Sequence, residues 1–177
     1  MENNQVLELA AVTHPDPRVR RVGFDLSHPY VEQVWGAAVG PSGVALLRRL
    51  PVLWKEHEPA RIPGVQLARM LGLGIPTGST KRLERALDRL VLFQFARWAE
   101  PGQALEVYTE VPPARGRLLT RLPEWSREAH DRLLGAHLDG LARSGNRELE
   151  VSAITARLDR LQRADAPSLG PIPAIGR

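Results

Sequence analysis

The stretch TKRLERALDRLVLFQFARW, residues 80–98, decides how the middle of this chain folds. Its apolar residues fall at positions 83, 86, 87, 90 and 91, which is the spacing of an amphipathic helix. After residue 94 the period changes to a short aromatic segment, a Pro101-Gly102 turn signal and an alternating apolar and polar run over residues 105–111. We therefore predict a helix over about residues 80–94, followed by a β-hairpin.

A shorter helix is predicted just before this stretch, over residues 64–71. Ala68 is small enough for a second helix to cross closely, and Gly72 suits a left-handed turn at the helix end. Leu73 is then expected to point back into the core, and Ser79 or Thr80 to cap the long helix. This pattern resembles the two helices and turn of a helix-turn-helix, although the loop from Gly72 to Ser79 is longer than usual.

The preceding segments complete the order of a winged helix-turn-helix domain. A helix is predicted from Ser27, stopped by Gly40-Pro41 and restarted at Ser42, and Pro51 predicts a kink or break near residues 47–50. The Arg61-Ile62 segment between two prolines predicts an edge strand. In a winged helix-turn-helix, the hairpin would be the wing, and this segment would be the third strand of the same small sheet. The expected fold class is mainly α with a small β-hairpin wing, plus C-terminal helices.

The two ends of the chain receive separate predictions. Residues 1–26 are expected to be an N-terminal segment and linker, with a helical turn or two over residues 1–12 and a proline-interrupted linker over 13–23. The linker's arginines are either solvated or form a basic arm of the kind that enters minor grooves. They are Arg18, Arg20 and Arg21.

The rest of the predicted layout is a winged-helix domain over 27–122, C-terminal helices over 123–163 and a flexible tail over 164–177. The C-terminal helices are expected at residues 123–142 and 148–162, separated near Gly145. The second one has apolar residues stepping by 3, 4 and 3, the seam of a two-heptad coiled coil. Packing onto the same chain and formation of a homodimer are both open. The seam residues are Val151, Ile154, Leu158 and Leu161.

Positive charge is concentrated in the central third of the chain. The 177 residues carry a net charge of +4, and residues 61–121 alone carry ten basic and five acidic side chains. Almost all basic residues are arginine, which fits either a GC-rich genome or a preference for the planar group that suits phosphate and guanine. A localised excess of this kind indicates an anionic partner.

The predicted long helix carries its cations on the face away from the core. At 100° per residue, Lys81, Arg82, Arg85 and Arg89 occupy one arc, with Glu84 and Asp88 on its flank. Like charges four residues apart destabilise an isolated helix slightly, so stability alone does not explain the pattern. A solvated face on a structural helix is the alternative. The candidate DNA-binding residues are Thr77, Ser79, Thr80, Lys81, Arg82, Arg85, Arg89, Arg115 and Arg117.

Residues 30–134 also resemble a family of poorly characterised actinobacterial winged helix-turn-helix proteins. The resemblance is carried by Gly40-Pro41-Ser42, residues 46–50, Leu67-Ala68, Leu71-Gly72-Leu73-Gly74, residues 85–91 and Ala129-His130-Asp131. It implies a winged-helix fold and a DNA-binding role, without a named pathway.

Several other functions are excluded or disfavoured. Cysteine is absent, which rules out disulfides and thiolate chemistry, and the glycines near residue 72 have the wrong spacing for a nucleotide loop. The histidines lack zinc-site spacing, no nucleophile elbow exists and no carboxylate cluster suggests a nuclease. With neither a signal-peptide pattern nor an apolar run of membrane length, we expect a cytoplasmic protein without enzymatic activity, metal or cofactor.

The predicted function is sequence-specific binding of double-stranded DNA by a transcriptional regulator, with the long helix in the major groove and the wing along the backbone or in the minor groove. A homodimer through the C-terminal helices would give two half-sites. The alternatives are a winged-helix module that binds protein, or a DNA-associated protein of replication or of a mobile element.

Overall fold

The computed structural model describes residues 5–74, 80–100 and 103–164, the last of these by backbone alone from residue 146 onward. The chain divides into two compact units, residues 1–136 and 137–177. In chain order the elements are β1 (Val6–Val12), α1 (Pro17–Val22), β2 (Phe24–Asp25), a π-helical turn (Val31–Trp35), α2 (Gly36–Glu56), β3 (Ala60–Pro63), α3 (Gly64–Met70), α4 (Lys81–Leu92), β4 (Ala96–Glu100), β5 (Ala104–Tyr108), β6 (Glu110–Val111), α5 (Gly116–Arg121) and α6 (Glu124–Ala164).

A four-stranded mixed sheet with the order β3-β1-β5-β4 lies in the first unit. Its interior strand β1 runs parallel to β5 from Glu8 opposite Ala104 to Val12 opposite Tyr108, and antiparallel to β3. The prediction of helical turns over residues 1–12 is therefore wrong. Leu7 and Leu9 are fully buried while Val6 is half exposed, which is the two-residue period of a strand.

The predicted hairpin is confirmed, because β4 and β5 pair antiparallel, from Ala96 opposite Val107 to Glu100 opposite Ala104. The Arg61-Ile62 segment also forms a strand of this sheet, as predicted. However, β3 pairs with β1, so a strand from the N-terminal segment separates it from the hairpin. What the structure shows is a mixed α/β protein, mainly helical with a small sheet.

The core lies between this sheet and helices α2, α3 and α4. Alternate residues of β1 and β5 pack with the apolar stripes of the helices, which places α4 with one face on the core and the other in solvent. Fully buried side chains of the core include Leu7, Leu9, Leu46, Leu47, Leu50, Leu67, Leu83, Leu87, Leu90, Phe95, Leu105 and Val107.

Helix α2 is interrupted where the Gly-Pro pair predicts it. Gly40 has φ 78° and ψ 169°, a conformation that is accessible essentially to glycine alone. The helix restarts at Pro41 and continues to Glu56. The helix is not broken before Pro51, since Gly40 is the one interior residue of this fully described helix with non-helical dihedral angles.

The segment predicted as a linker, residues 13–23, contains a short helix instead. The side chain of Asp16 accepts a hydrogen bond of 2.8 Å from the backbone N–H of Arg18, and Pro17 occupies the first turn. Proline is tolerated there because a backbone N–H at that position would have no intrahelical partner, so its absence costs nothing. Arg18, Arg20 and Arg21 therefore lie on α1 and not on an extended arm.

One helix, α6, replaces the two predicted after residue 123. It runs from Glu124 to Ala164 without a break at Gly145. Glycine in a helix interior costs only about 1 kcal/mol relative to alanine, whereas proline costs about 3 kcal/mol and kinks or breaks the helix. The side chains of the predicted heptad seam lie outside the described residues, and so do residues 165–177 of the predicted flexible tail.

Candidate nucleic-acid interface

Helix α4 separates its apolar and cationic side chains onto two faces. Leu83, Leu87 and Leu90 are fully buried and Ala86 is nearly so. The side chains that the sequence places on the opposite arc are exposed, together with Asp88. We call Lys81, Arg82, Arg85 and Arg89 the cationic strip.

The start of α4 is held by a hydrogen bond between the side chain of the preceding residue, Thr80, and that of Glu84 in the first turn. The hydroxyl of Thr80 donates to Glu84 Oε1 at 2.8 Å, and the carbonyl of Thr80 accepts from the N–H of Glu84 at 3.0 Å. This hydroxyl bond, aided by the charge of Lys81, holds the pKa of Glu84 below its ordinary value against partial desolvation. Thr80 is only 3% exposed, so it supports the helix terminus. Thr77 and Ser79 lie outside the described residues.

Three arginines of the cationic strip line one cleft against the start of the restarted part of α2. The cleft has a volume of about 440 Å³. We call it the arginine cleft, and its walls are Val39, Gly40, Pro41, Ser42, Arg82, Arg85, Ala86, Asp88 and Arg89. With three guanidinium groups against one carboxylate, its charge is positive.

Two of these arginines are oriented by backbone carbonyls. Arg82 Nη1 donates to the carbonyl of Leu73 at 2.9 Å, and Arg89 Nη1 donates to that of Val39 at 3.4 Å. A guanidinium has five N–H donors, so each group keeps others for an anion. A Cβ atom built on Gly40 would lie 2.7 Å from Arg89 Nη1, which shows how closely the turn and the arginine fit.

The hairpin contributes less positive charge than the helix. Its exposed Arg97 forms an ion pair across the strands with Glu106, and this carboxylate raises the pKa of Arg97. The pair neutralises the cation within the hairpin. The predicted tip, Pro101-Gly102, lies outside the described residues. Arg115 and Arg117 are exposed on either side of Gly116, and neither of them lines the arginine cleft.

Sequence reasoning missed the wall that α2 contributes to this site. The Gly-Pro-Ser signal at residues 40–42 predicts a helix break, but nothing local predicts that the break faces α4. It also missed the buried pair of Tyr30 and His130, whose side chains are 2.5 Å apart at Oη and Nδ1. These residues are 100 positions apart in sequence, and only folding brings them together.

In the part of the chain that the structure describes, no three His, Asp or Glu side chains are grouped so that they could hold a metal ion. Within the same residues, no helix combines the length and apolar character needed to cross a bilayer. No protein-family model, curated protein or solved structure matches this chain.

Proposed function

We propose that this protein binds double-stranded DNA through the exposed face of α4 and acts as a transcriptional regulator. The observation that carries the proposal is the cationic strip, four basic side chains exposed on one face of a helix whose other face is anchored in the core. A helix fits the major groove of B-DNA, and arginine pairs in two-point fashion with guanine or phosphate. The rigid core contact fixes the direction in which the strip points.

The arrangement of α3, the Gly72 turn, α4 and the β4–β5 hairpin supports a variant of the winged helix-turn-helix. Gly72 has φ 67°, and Leu73 packs partly against the core, as this motif requires. The variant feature is β1, which is inserted in the sheet between β3 and the hairpin. Because Arg97 is paired with Glu106, we assign the main contacts to α4 and a minor one to the hairpin.

The contact residues of the proposal differ in role. Arg85 is exposed and lines the arginine cleft, so we assign it to a base edge or phosphate. We assign phosphate contacts to Lys81, Arg82 and Arg89. Backbone carbonyls already orient the guanidinium groups of Arg82 and Arg89. Arg115 and Arg117 are assigned to flanking phosphates, and Thr80 is left out because it is buried.

The proposal is tested by the salt dependence of duplex binding and by two matched charge deletions. Affinity for duplex DNA is expected to fall steeply with salt, because each neutralised phosphate releases about one counterion. Arg85→Ala is expected to weaken binding by about 1 to 3 kcal/mol, or to reduce the salt slope by about one if its contact is a phosphate.

The control is Arg61→Ala, which removes the same charge from β3, where the side chain is 70% exposed and paired with Glu8. Its circular dichroism and duplex affinity are expected to stay close to those of the parent protein. Equal affinities of the parent, Arg85→Ala and Arg61→Ala proteins would refute the assignment of α4 to the groove.

A protein-binding module is the second candidate, and one observation favours it. Leu92, the last residue of α4, is 74% exposed, and a protein partner that covered α4 would bury it. Leu92→Ser is expected to leave duplex binding unchanged if α4 is a DNA-binding helix. The second candidate replaces the first if the protein binds no duplex at low salt.

A further inference from the structure

We infer that the arginine cleft is a phosphate-binding site, and that it holds one backbone phosphate of the DNA. This inference rests on the proposed function and adds α2 to the interface. The carrying observation is that Arg82, Arg85 and Arg89, spread over two turns of α4, line one cavity of about 440 Å³. Three guanidinium groups repel one another in a shared cleft, and an anion between them relieves that repulsion.

The chemistry of the walls matches a phosphate diester. The guanidinium groups supply charged, planar donors, and two are held in place by carbonyl hydrogen bonds, which lowers the entropy lost on binding. Asp88 also lines the cleft and opposes an anion, so the affinity for a single phosphate is expected to be moderate. That suits a contact that adds to a larger interface.

The restarted part of α2 adds a second kind of donor to the same cleft. Residues 41–56 form a helix after the Gly40 break, and Ser42 in its first turn is half-buried in the cleft wall. Ser42, with its hydroxyl and its backbone N–H in the first helical turn, is suited to phosphate oxygens. Gly40 permits the close approach, since any side chain there would meet Arg89.

The test is a negative charge placed in the cleft wall. Ser42→Asp puts a carboxylate in the first helical turn, where it is favourable for the helix and unfavourable for a bound phosphate. We expect duplex affinity to fall about tenfold at constant ionic strength and the salt slope to decrease by about one. Thermal stability is expected to be unchanged or raised, which separates lost binding from misfolding.

The matched control is Ala45→Asp, one turn further along α2 at an exposed position that lines a different cleft. It makes the same change of charge in the same helix, and its duplex affinity is expected to fall by less than twofold. In the opposite direction, Asp88→Asn removes the one acidic group of the arginine cleft and is expected to raise duplex affinity several-fold.

Two outcomes would overturn the inference separately from the proposed function. If the parent protein binds duplex and the Ser42→Asp and Ala45→Asp proteins bind it equally, the cleft is not a DNA phosphate site. If the parent protein binds no duplex, inorganic pyrophosphate is titrated while the amide NMR signals of residues 42–44 are followed. Saturable shifts of these amide signals that Ser42→Asp abolishes would then assign the cleft to a free phosphate ligand. The inference that the cleft holds a phosphate of DNA would be wrong.

Discussion

At the scale of single residues, Tyr30 combines full burial with ring stacking and two hydrogen-bond partners. It is fully buried and stacked on Phe24 with ring centroids 3.8 Å apart. Its hydroxyl accepts a hydrogen bond of 2.9 Å from the N–H of Ala114 and lies 2.5 Å from His130 Nδ1. The tyrosine thus joins the chain before α2 to the segment before α5 and to α6.

Burial raises the pKa of Tyr30 to about 12; the charge of Asp131 adds to the rise, and the N–H of Ala114 opposes it. An unfolded tyrosine ionises near pH 10, so its stabilising contribution is complete below pH 10 and is lost between about pH 10 and 12. The expected loss is roughly 2 to 3 kcal/mol. Urea unfolding at a series of pH values measures it, and Tyr30→Phe is expected to remove most of this dependence.

A direct titration isolates the same group. The chain has two tyrosines, so in the Tyr108→Phe protein the ultraviolet absorbance of tyrosinate reports Tyr30 alone. We expect its midpoint near pH 12 while the protein stays folded. Ionisation of the folded protein near pH 10 would contradict the buried hydrogen-bonded arrangement.

Gly40 is the residue on which the shape of the arginine cleft depends. Gly40→Ala forces a Cβ into a glycine-only conformation and against Arg89, so we expect a loss of about 1 to 3 kcal/mol of stability. The control is Gly135→Ala in α6, where a Cβ meets nothing within 4 Å. That substitution is expected to stabilise by up to about 1 kcal/mol, because alanine favours a helix. Denaturant midpoints of the two variants moving in the same direction would refute this account.

At the scale of elements, β1 is the feature that most changes the predicted fold. It occupies an interior position of the sheet, with β3 on one side and β5 on the other. In the predicted winged helix, β3 lies directly beside the hairpin. In the structure β1 lies between them, so the N-terminal segment belongs to the core of the first unit.

Leu9→Ala is expected to destabilise the protein by about 2 to 5 kcal/mol, since its side chain is fully buried in the interior strand. Val6→Ala, in the same strand but 50% exposed, is expected to cost less than about 1 kcal/mol. Both are measured by denaturant unfolding. A cost for Leu9→Ala as small as that for Val6→Ala would mean that β1 does not pack in the core.

The elements that sequence predicts well are those whose signal is local. The apolar stripe of α4 predicts both its bounds and its exposed face, and the Gly-Pro pair at 40–41 predicts the break in α2. The period of β1 is also present in its sequence, but over seven residues it competes with a helical interpretation. The partners that settle it lie at residues 60–63 and 104–108, far along the chain.

At the scale of the whole molecule, the second unit holds the greater part of α6 and the predicted coiled-coil seam. We keep the homodimer as a prediction, because Val151, Ile154, Leu158 and Leu161 have heptad spacing on a segment that is helical. The full chain is expected to have the mass of a dimer in solution, and a chain ending at residue 145 that of a monomer.

Light scattering measures both masses, and Leu158→Glu in the full chain is the second variant. A charge at a seam position is expected to dissociate the dimer while leaving the first unit folded, as judged by near-ultraviolet circular dichroism. If the full chain, the shortened chain and Leu158→Glu have the same oligomeric state, the heptad interpretation is wrong. A dimer would place two copies of α4 on a DNA site with two half-sites.

The sequence by itself determines the order from α3 through the Gly72 turn and α4 to the β4–β5 hairpin, and the side of α4 that bears positive charge. These depend on spacings of a few residues, which local sterics and periodicity control. The tertiary structure alone decides that β1 enters the sheet, that Tyr30 meets His130, and that the break at Gly40 lies against Arg89. Those contacts join residues some 50 to 100 positions apart, and the burial of a shared core selects them. The central positive charge thus acquires a definite shape, a cleft between two helices, only when the chain is folded.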